Sequence, residues 1–492
     1  MSTFHGLEMA RQALSTQQSA LYTTGHNIAN ANTEGYSRQR VNFKTTSPYS
    51  SASRNRPEIA GQMGTGVQVD SVQRIRNEFL DNQYRAKHSN TGFWETKAEA
   101  LGRMERLLNE PSESGLSSTM DQFWQSLQDL SVNPENAGAR SVVAQRGLAV
   151  AENFNYLSDS LTAIRSDLEN QMDVTVQEAN VLLRQINGIN EQVKQTEPHG
   201  NAPNDLYDER DRLIDELSNK VSIKVSYSQS SANSADAADG LASIELVNDQ
   251  GKAFREPVIL LDGGLEVGAG NQVNELEISE TGEVTVDGEA IDLMSSNGSL
   301  KGLIESSQMY TAMLTDLDDM ASVFAAEFNS VHSEGYDLEG NEGSPFFEYT
   351  AGAGAASSIM VEQELIDDPD QIAASTNENA GNGDNVSKLA EVFNKALEND
   401  PLGNDASVNG FYQRLIGELG VHAQEANKMV DNTNILKEQV ENQRMSVSAV
   451  SLDEEMANMI KFQHAYNAAA RSMTQTDELL DRIINNMGLV GR

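Results

Sequence analysis

The chain has no cysteine among its 492 residues and is poor in several other informative features. Without cysteine it cannot form disulfide bridges, thiolate metal sites or cysteine nucleophiles. No run approaches the roughly 18 consecutive apolar residues that a membrane-spanning helix needs. Residues 1–17 lack a basic start followed by an apolar stretch, so we expect no cleaved secretory signal peptide. No proline follows Pro401, which permits very long helices in the last part of the chain.

Basic residues are also scarce, and the net charge of −39 is unevenly distributed. Residues 228–300 carry a net charge of −12 and residues 335–405 carry −13, whereas residues 1–40 carry +1. Like charges in contact repel, so a surface packed against copies of itself cannot have strongly one sign. We therefore expect the near-neutral ends to be buried in an assembly and the acidic middle to face solvent. A nucleic-acid partner is not expected, because no basic stripe is available to neutralise phosphates.

Both ends of the chain carry mainly apolar side chains at alternating steps of three and four residues. Near the N-terminus this stripe consists of Phe4, Leu7, Arg11, Leu14, Gln18, Leu21, Gly25 and Ile28. Near the C-terminus it consists of Leu452, Met456, Met459, Gln463, Tyr466, Ala470, Met473, Asp477, Leu480, Ile484 and Met487. This spacing places the side chains on one helix face and is typical of a coiled-coil seam.

An amphipathic helix of this length is marginal alone in water, so each stripe needs a partner. We expect the two ends to cover each other, within one chain and between neighbouring chains, as in an assembly subunit. The methionines of the C-terminal stripe have two interpretations: ordinary interface core, or an adaptable binding face for changing partners.

The chain length predicts two or three domains, and the periodicity predicts a mainly α fold with a β-rich insert. Helical spacing occurs in residues 2–31, 77–109, 116–130, 137–196, 206–219, 298–333, 386–399 and 407–486. Alternation typical of strands occurs in residues 39–45 and 67–72 and again from 221 to 286. Trp94 and Trp124 lie at helical spacing and are expected in the core of a bundle.

The predicted organisation is nested. Residues 1–33 and 452–492 form a coiled-coil-like terminal helical domain. Residues 34–220, with 301–334 and 402–451, form a helical bundle from both halves of the chain. Residues 221–300 and 335–401 form one or more acidic, β-rich outer domains.

Candidate ligand and catalytic motifs are weak. Asp337, Glu339, Asn341 and Glu348 match part of a calcium-loop template, but Glu342 occupies the position that needs glycine. Gly352 and Gly354 lack the rest of a dinucleotide-binding fingerprint, and the seven histidines form no ligand pair. We therefore predict no catalytic residue, no metal site and no cofactor.

Four segments carry a resemblance to a known family. Residues 26–39 have the sequence HNIANANTEGYSRQ, and residues 452–471 have the sequence LDEEMANMIKFQHAYNAAAR. Both resemble signatures of the bacterial flagellar rod, hook and hook-associated proteins. Residues 64–80 and 123–140 narrow the resemblance to the hook-associated proteins of the hook–filament junction. The resemblance covers roughly the first 220 residues and the last 90.

The resemblance implies a non-enzymatic structural subunit that leaves the cell through the flagellar export apparatus and lies outside it, at the hook–filament junction. It also implies four kinds of partner: copies of the chain in a ring, the hook protein, the next hook-associated protein and a cytoplasmic export chaperone that binds the C-terminal region. The predicted assembly interface consists of Phe4, Leu7, Leu14, Leu21, Ile28, Asn30, Gly35, Tyr36, Leu452, Met456, Met459, Tyr466, Met473, Leu480 and Ile484. Two alternatives remain: another axial protein of hook or rod type, and a secreted acidic cell-surface adhesin or hydrolase.

Overall fold

The computed structural model describes residues 4–49, 63–108, 115–200, 202–264, 272–279, 283–350, 352, 354–395, 402 and 407–486. The chain divides into two compact units, and each consists of several sequence segments. Unit 1 contains residues 1–90, 176–296 and 434–492, and unit 2 contains residues 91–175 and 297–433.

Helices dominate both units. Their bounds are α1 Phe4–Ala29, α2 Glu78–Leu108, α3 Leu116–Val132, α4 Ala137–Thr196, α5 Asn204–Lys220, α6 Ser299–Ser333, α7 Ala355–Ser358, α8 Gln363–Asp367, α9 Asp384–Glu391, α10 Val408–Ser448 and α11 Leu452–Asn486. The strands are β1 Gln39–Thr45, β2 Val67–Arg74, β3 Ile223–Ser228, β4 Leu241–Val247, β5 Ala253–Asp262, β6 Gln272–Val273, β7 Leu276–Ile278, β8 Val284–Val286, β9 Glu289–Ala290, β10 Phe347–Glu348 and β11 Met360–Val361.

The described residues of unit 1 form three antiparallel sheets. Strands β1 and β2 form a hairpin in which Gln39 pairs with Arg74 and Thr45 with Val67, with an irregularity between Asn42 and Phe43. The insert forms a four-stranded sheet of order β3-β4-β5-β6 and a three-stranded sheet of order β7-β8-β9. Strand β4 is almost entirely buried, on both faces, so it forms the centre of the insert.

Two asparagines of α4 connect this helix to the insert. The Asn190 amide donates to the Ala242 carbonyl at 2.9 Å and accepts from the Ala242 N–H at 3.1 Å. Asn180 makes the same pair of bonds with Leu276, at 2.8 and 2.9 Å. An amide matches the donor and acceptor of a strand backbone, so each asparagine extends the strand hydrogen bonding to the helix.

Unit 2 has a phenylalanine core. The ring of Phe123 in α3 lies 5.4 Å from Phe328 in α6 and 6.0 Å from Phe346, in tilted contacts. Further rings in this cluster are those of Phe154, Phe324, Phe347 and Phe393. Gly147 in α4 makes room for it, because a Cβ there would lie 2.7 Å from the Phe346 ring. Aromatic rings bury large areas and pack favourably at these separations, so this cluster is a major part of the unit 2 core.

Arg140, the last residue of the segment 123–140 noted above, is buried in unit 2. Its guanidinium donates to the Pro134 carbonyl at 2.7 Å and to the Ile372 carbonyl at 2.7 Å. It thereby joins the loop between α3 and α4 to the segment before α9, so its role in the structure is to satisfy buried carbonyls.

The predicted fold class is confirmed, with differences in detail. The helix expected over 407–486 is interrupted at residues 449–451, because Ser451 and Glu454 form the S-x-x-E pattern of a helix start and the Glu454 N–H lies 3.5 Å from the Ser451 hydroxyl. Trp124 was expected in the core but is exposed, whereas its neighbour Phe123 is fully buried.

The second acidic segment has little strand. Its described residues from 335 to 395 contain three short helices, one 3-10 turn and two strands of two residues each. The helix expected over 386–399 ends at Glu391, and residues 396–399 lie outside the described residues. The division into two units also differs from the predicted three-part organisation, which stays a prediction.

Candidate functional site

The two terminal helices pack against each other in an antiparallel pair, called here the terminal pair (α1 and α11). Gly6, near the start of α1, lies against Thr476, near the end of α11. At the other end of α1, Thr23 and Thr24 line one cleft together with Asn458 and Phe462 of α11. The two ends therefore pack against each other within one chain, as predicted, and the predicted contact between neighbouring chains stays a prediction.

Small and polar side chains form the buried face of α1. Its buried residues are Ala10, Thr16, Ala20, Thr23, Thr24 and Asn27. On α11, Glu455 and Leu480 are buried, while Phe462, Ala465, Ala469 and Thr476 between them are half-buried. The covered face of α11 is therefore rotated slightly from the predicted stripe, and the contact uses residues that allow two helices to approach closely.

The predicted interface residues of the two stripes fall into three groups. Only Leu480 is buried. The half-buried residues are Leu7, Leu14, Leu21, Ile28, Met459, Tyr466 and Met473. The exposed residues are Phe4, Leu452, Met456 and Ile484. Met487, the last member of the C-terminal stripe, lies outside the described residues.

The remaining three predicted interface residues lie in the turn after α1, called here the signature turn (residues 30–38). The Asn30 side chain donates to the His26 carbonyl at 3.1 Å and closes the end of α1. Gly35 has φ +79°, a backbone conformation that side chains disfavour. The Tyr36 hydroxyl donates to Asn27 at 2.8 Å. These contacts are all within the chain, and an interface role for the three residues stays a prediction.

Asn27, which we did not predict as a site residue, is the centre of this turn. Its side chain is buried, donates to the Gln39 carbonyl at 2.8 Å and accepts from the Gln39 N–H at 3.0 Å. The His26 ring lies 3.0 Å from the Tyr36 hydroxyl. The sequence signature thus joins the end of α1 to the start of β1, and it supplies no acid–base pair with a nucleophile.

The β1–β2 hairpin covers a further face of the terminal pair. The Thr16 hydroxyl donates to the Val67 carbonyl at 3.1 Å, and the Phe43 ring lies 6.0 Å from Phe462 in an edge contact. A Cβ at Gly66 would lie 2.9 Å from the Gln12 amide oxygen. Gly66, in the segment 64–80 noted in the sequence, therefore permits close approach of the hairpin to α1.

Unit 1 also contains a buried group of ion pairs, called here the anchor cluster. Its members are Arg74, Arg76, Arg85, Arg444, Asp81, Asp208, Asp211 and Asp215. Asp211 is central: its carboxylate lies 3.0 Å from Arg74, 3.0 Å from Arg76 and 3.3 Å from Arg85. The cluster extends to the signature turn, because the Ser37 N–H donates to Asp208 at 3.1 Å.

The electrostatics of the cluster favour the charged state of Asp211, its central carboxylate. Burial disfavours the ionised form of Asp211, but the guanidinium groups of Arg76, Arg74 and Arg85 outweigh it, so the pKa of this carboxyl is well below its usual value. Burial, with the Asp211 charge next, raises the pKa of Tyr227 to about 12, and this hydroxyl donates to Asp211 at 2.8 Å. At neutral pH the Asp211 carboxylate is therefore ionised among three guanidinium groups, and the cluster is a structural anchor.

Sequence reasoning missed the anchor cluster, although a signal was present. Asp208, Asp211 and Asp215 are spaced by three and four residues and therefore share one face of α5. Carboxylates in a row on one helix face repel each other, so this spacing indicates that cations lie beside them.

Two further observations concern a membrane-spanning helix and the calcium-loop candidate. Within the described ranges, no helix combines the length and the apolar character needed to cross a membrane. The Asp337 carboxylate, from the calcium-loop candidate, accepts from the Asn341 N–H at 2.8 Å and the Asn341 amide at 2.9 Å. It thus stabilises its own turn, and these bonds account for a pKa below the usual value despite partial burial.

The first and last helices of the described chain, α1 and α11, form one pair, and the family models that match this chain are those of flagellar axial proteins. The family model of basal body rod proteins matches residues 7–36. The model of the FlgK hook-associated protein helical domain matches residues 101–347. The model of the FlgEFG basal body rod protein C-terminal region matches residues 441–487.

Relatives that match along the full chain narrow the assignment from this class to one family. The chain is 47% identical over 513 residues to flagellar hook-associated protein 1 of Bacillus subtilis (strain 168), with 100% of both chains covered. It is 24% identical to flagellar hook-associated protein 1 of Escherichia coli (strain K12), with 97% of this chain and 98% of the relative covered. The chain belongs to the flagellar hook-associated protein 1 family.

A solved structure shares the fold. The flagellar hook junction protein FlgK from Burkholderia pseudomallei matches with a TM-score of 0.59 and 14% sequence identity. The match covers 75% of this chain and all of the solved chain.

Proposed function

We propose that this chain is the structural subunit that joins the flagellar hook to the filament, and that its terminal pair is the surface through which copies stack along the flagellar axis. The function follows from the family, and the assembly surface is our inference from the exposed side chains. We also propose that the subunit acts outside the cell, after passage through the flagellar export apparatus.

The observation that supports the assembly surface is the exposure of large apolar residues on both terminal helices. Phe4 is 61% exposed and Tyr22 is 79% exposed on α1, while Leu479 is 59% and Ile484 is 69% exposed on α11. Fully burying one such side chain contributes about 1.5–3 kcal/mol. Because every copy in a ring presents the same residues, a modest gain per side chain is repeated around the assembly.

The proposed partners are further copies of the chain, the hook protein on one side and the next hook-associated protein on the filament side. Before export, we propose that a cytoplasmic chaperone holds the C-terminal region. Support comes from Met445 and Met456, which are 45% and 50% exposed. Methionine side chains adapt to different partners, so the same face can serve a chaperone first and a polymer later.

A double substitution in the terminal pair tests the assembly surface. Leu479→Asp with Ile484→Asp adds two charges to an exposed face of α11, so the isolated protein is expected to keep its helix content and thermal midpoint. A strain that lacks its own hook-associated protein 1 and carries this variant should export it, build hooks and carry few filaments, with filament subunits released to the medium.

The matched control is Val421→Asp, because Val421 is 64% exposed on α10. Filament-bearing cells and exported protein would be counted for both variants. Equal filament numbers for wild type and the double variant would contradict the proposed surface, as would an equal loss with Val421→Asp. Loss of secretion with the double variant alone would assign these residues to export instead.

A further inference from the structure

The chain passes between the terminal pair and the rest of unit 1 twice, and both connections meet at Arg38. The first is the signature turn, between α1 and β1, and the second consists of residues 449–451, between α10 and α11. The Arg38 N–H donates to the Ser448 carbonyl at 2.8 Å, which joins the signature turn to the end of α10, directly before the second connection. The Arg38 carbonyl accepts from the Ile75 N–H at 2.9 Å, which adds the end of β2.

The side chain of Arg38 makes a second connection across the same point. Its Nη1 donates to Glu454 Oε2 at 2.6 Å, in the first turn of α11. The Arg38 side chain is 20% exposed and that of Glu454 is 58% exposed, so the arginine is shielded from water while solvent partly screens the carboxylate. A carboxylate in the first turn of a helix also interacts favourably with the helix dipole, which helps to hold Glu454 in place.

Packing beside Arg38 is incomplete. A cleft of about 140 Å³ lies between α1, β1 and α11 and is lined by Ala20, Arg38, Val41, Glu454 and Phe462, among others. Apolar contact therefore does not fill this part of the junction between the terminal pair and the hairpin. A directional polar contact is needed where close packing does not define one arrangement.

We propose that Arg38 is a positioning residue that fixes the orientation of the terminal pair relative to the strands of unit 1. Glu454 is its side-chain partner. One fixed orientation lets each copy present its exposed apolar residues in the same direction, so the proposal rests on the assembly role given above. Without the ion pair, the backbone bonds of Arg38 remain, and the terminal pair tilts into the cleft and populates more than one orientation.

Spin labels can measure this orientation, because the chain has no cysteine of its own. Cysteines at Ser226, exposed on β3, and at Asn467, exposed on α11, place one label on each side of the junction. Pulsed electron paramagnetic resonance on the isolated protein then gives the distribution of label-to-label distances. Wild type should give one narrow distribution, and Arg38→Gln should broaden it about twofold as a second orientation becomes populated.

The control is Arg40→Gln, which changes an exposed arginine two residues away and should leave the distribution unchanged. The charge exchange Arg38→Glu with Glu454→Arg should restore the narrow distribution. Glu454→Gln, which alters the more exposed partner, should also broaden the distribution. This variant replaces Arg38→Gln as the test if Arg38→Gln lowers the thermal midpoint. A purely structural role would lower the midpoint without changing the width.

A distribution as narrow in both Arg38→Gln and Glu454→Gln as in wild type would overturn the proposal, and so would equal broadening with Arg40→Gln. Because this measurement uses the isolated protein, it is independent of hook binding. If the distribution broadens as expected but Leu479→Asp with Ile484→Asp still forms filaments, the orientation role stands and the proposed assembly surface is wrong.

Discussion

Replacing Asn27 with alanine should destabilise unit 1 selectively. The Asn27 side chain is buried and makes three hydrogen bonds of 2.8–3.0 Å, two with the Gln39 backbone and one with the Tyr36 hydroxyl. Each is worth about 1 kcal/mol net, and a buried partner left unpaired costs about 1–3 kcal/mol. Because Tyr36 can still pair with the His26 ring 3.0 Å away, the expected loss is about 2–4 kcal/mol.

Urea unfolding can separate the two units in this experiment. Both tryptophans, Trp94 and Trp124, belong to unit 2, so tryptophan fluorescence reports on that unit, while far-ultraviolet circular dichroism reports on all helices. With a slope of about 3 kcal/mol per molar urea, Asn27→Ala should lower the unit 1 midpoint by roughly 1 M. The fluorescence midpoint should not change.

Asn32→Ala is the matched control, since Asn32 is exposed in the same signature turn. It should shift neither transition by a measurable amount. Equal midpoints for Asn27→Ala and wild type would refute the assignment of Asn27 as the centre of the turn. A shift of the fluorescence transition as large as the dichroism shift would refute the confinement of its effect to unit 1.

Three further changes to the sequence test other parts of the structure. Burial lowers the pKa of His332 to about 4, so the contribution of the neutral ring to stability is complete above pH 6.5 and is lost as pH falls towards 4. Unit 2 should therefore lose about 2 kcal/mol of its free energy of unfolding between pH 7 and pH 5, measured by fluorescence-detected unfolding, and His332→Gln should remove that part of the loss. Asp211→Asn should destabilise unit 1 by about 3–5 kcal/mol, because it leaves buried guanidinium groups without their shared anion. The control Glu209→Gln changes an exposed residue of the same helix and should cost less than about 0.5 kcal/mol. Replacing residues 221–296 by a short Gly/Ser bridge should lower the urea midpoint of unit 1, since Asp239 of the insert pairs with the anchor cluster; an unchanged midpoint would show that the insert is independent.

The local elements were predictable because short-range periodicity determines them. The bounds of β1 were predicted at both ends, and α4 matched over its whole length, since alternation and helical spacing are read directly from neighbouring residues. The break before α11 was missed although Ser451 and Glu454 carry a start signal, because the helical stripe on either side outweighed it.

The site was predictable only in part, because burial depends on residues distant in the sequence. The large residues of the stripes marked the correct helices, but Ala10 and Ala20 form the contact within the chain, and most of the large residues are left partly or fully exposed. Which of 109 charged residues enter a buried cluster depends on contacts between segments more than one hundred residues apart, as for Arg74 with Asp208. No local pattern defines such a contact.

The most direct test of the central claim measures whether the terminal pair is covered when the protein assembles. Single cysteines at Leu479 and Ile484, and at Ser226 as the reference, would be labelled with a maleimide in the free protein and after addition to isolated hooks. We expect the labelling rate at Leu479 and Ile484 to fall about tenfold or more on assembly, because buried side chains in packed interfaces exclude water. The rate at Ser226 should stay near its free value. Unchanged labelling at Leu479 and Ile484 in protein that is bound to hooks would contradict the claim.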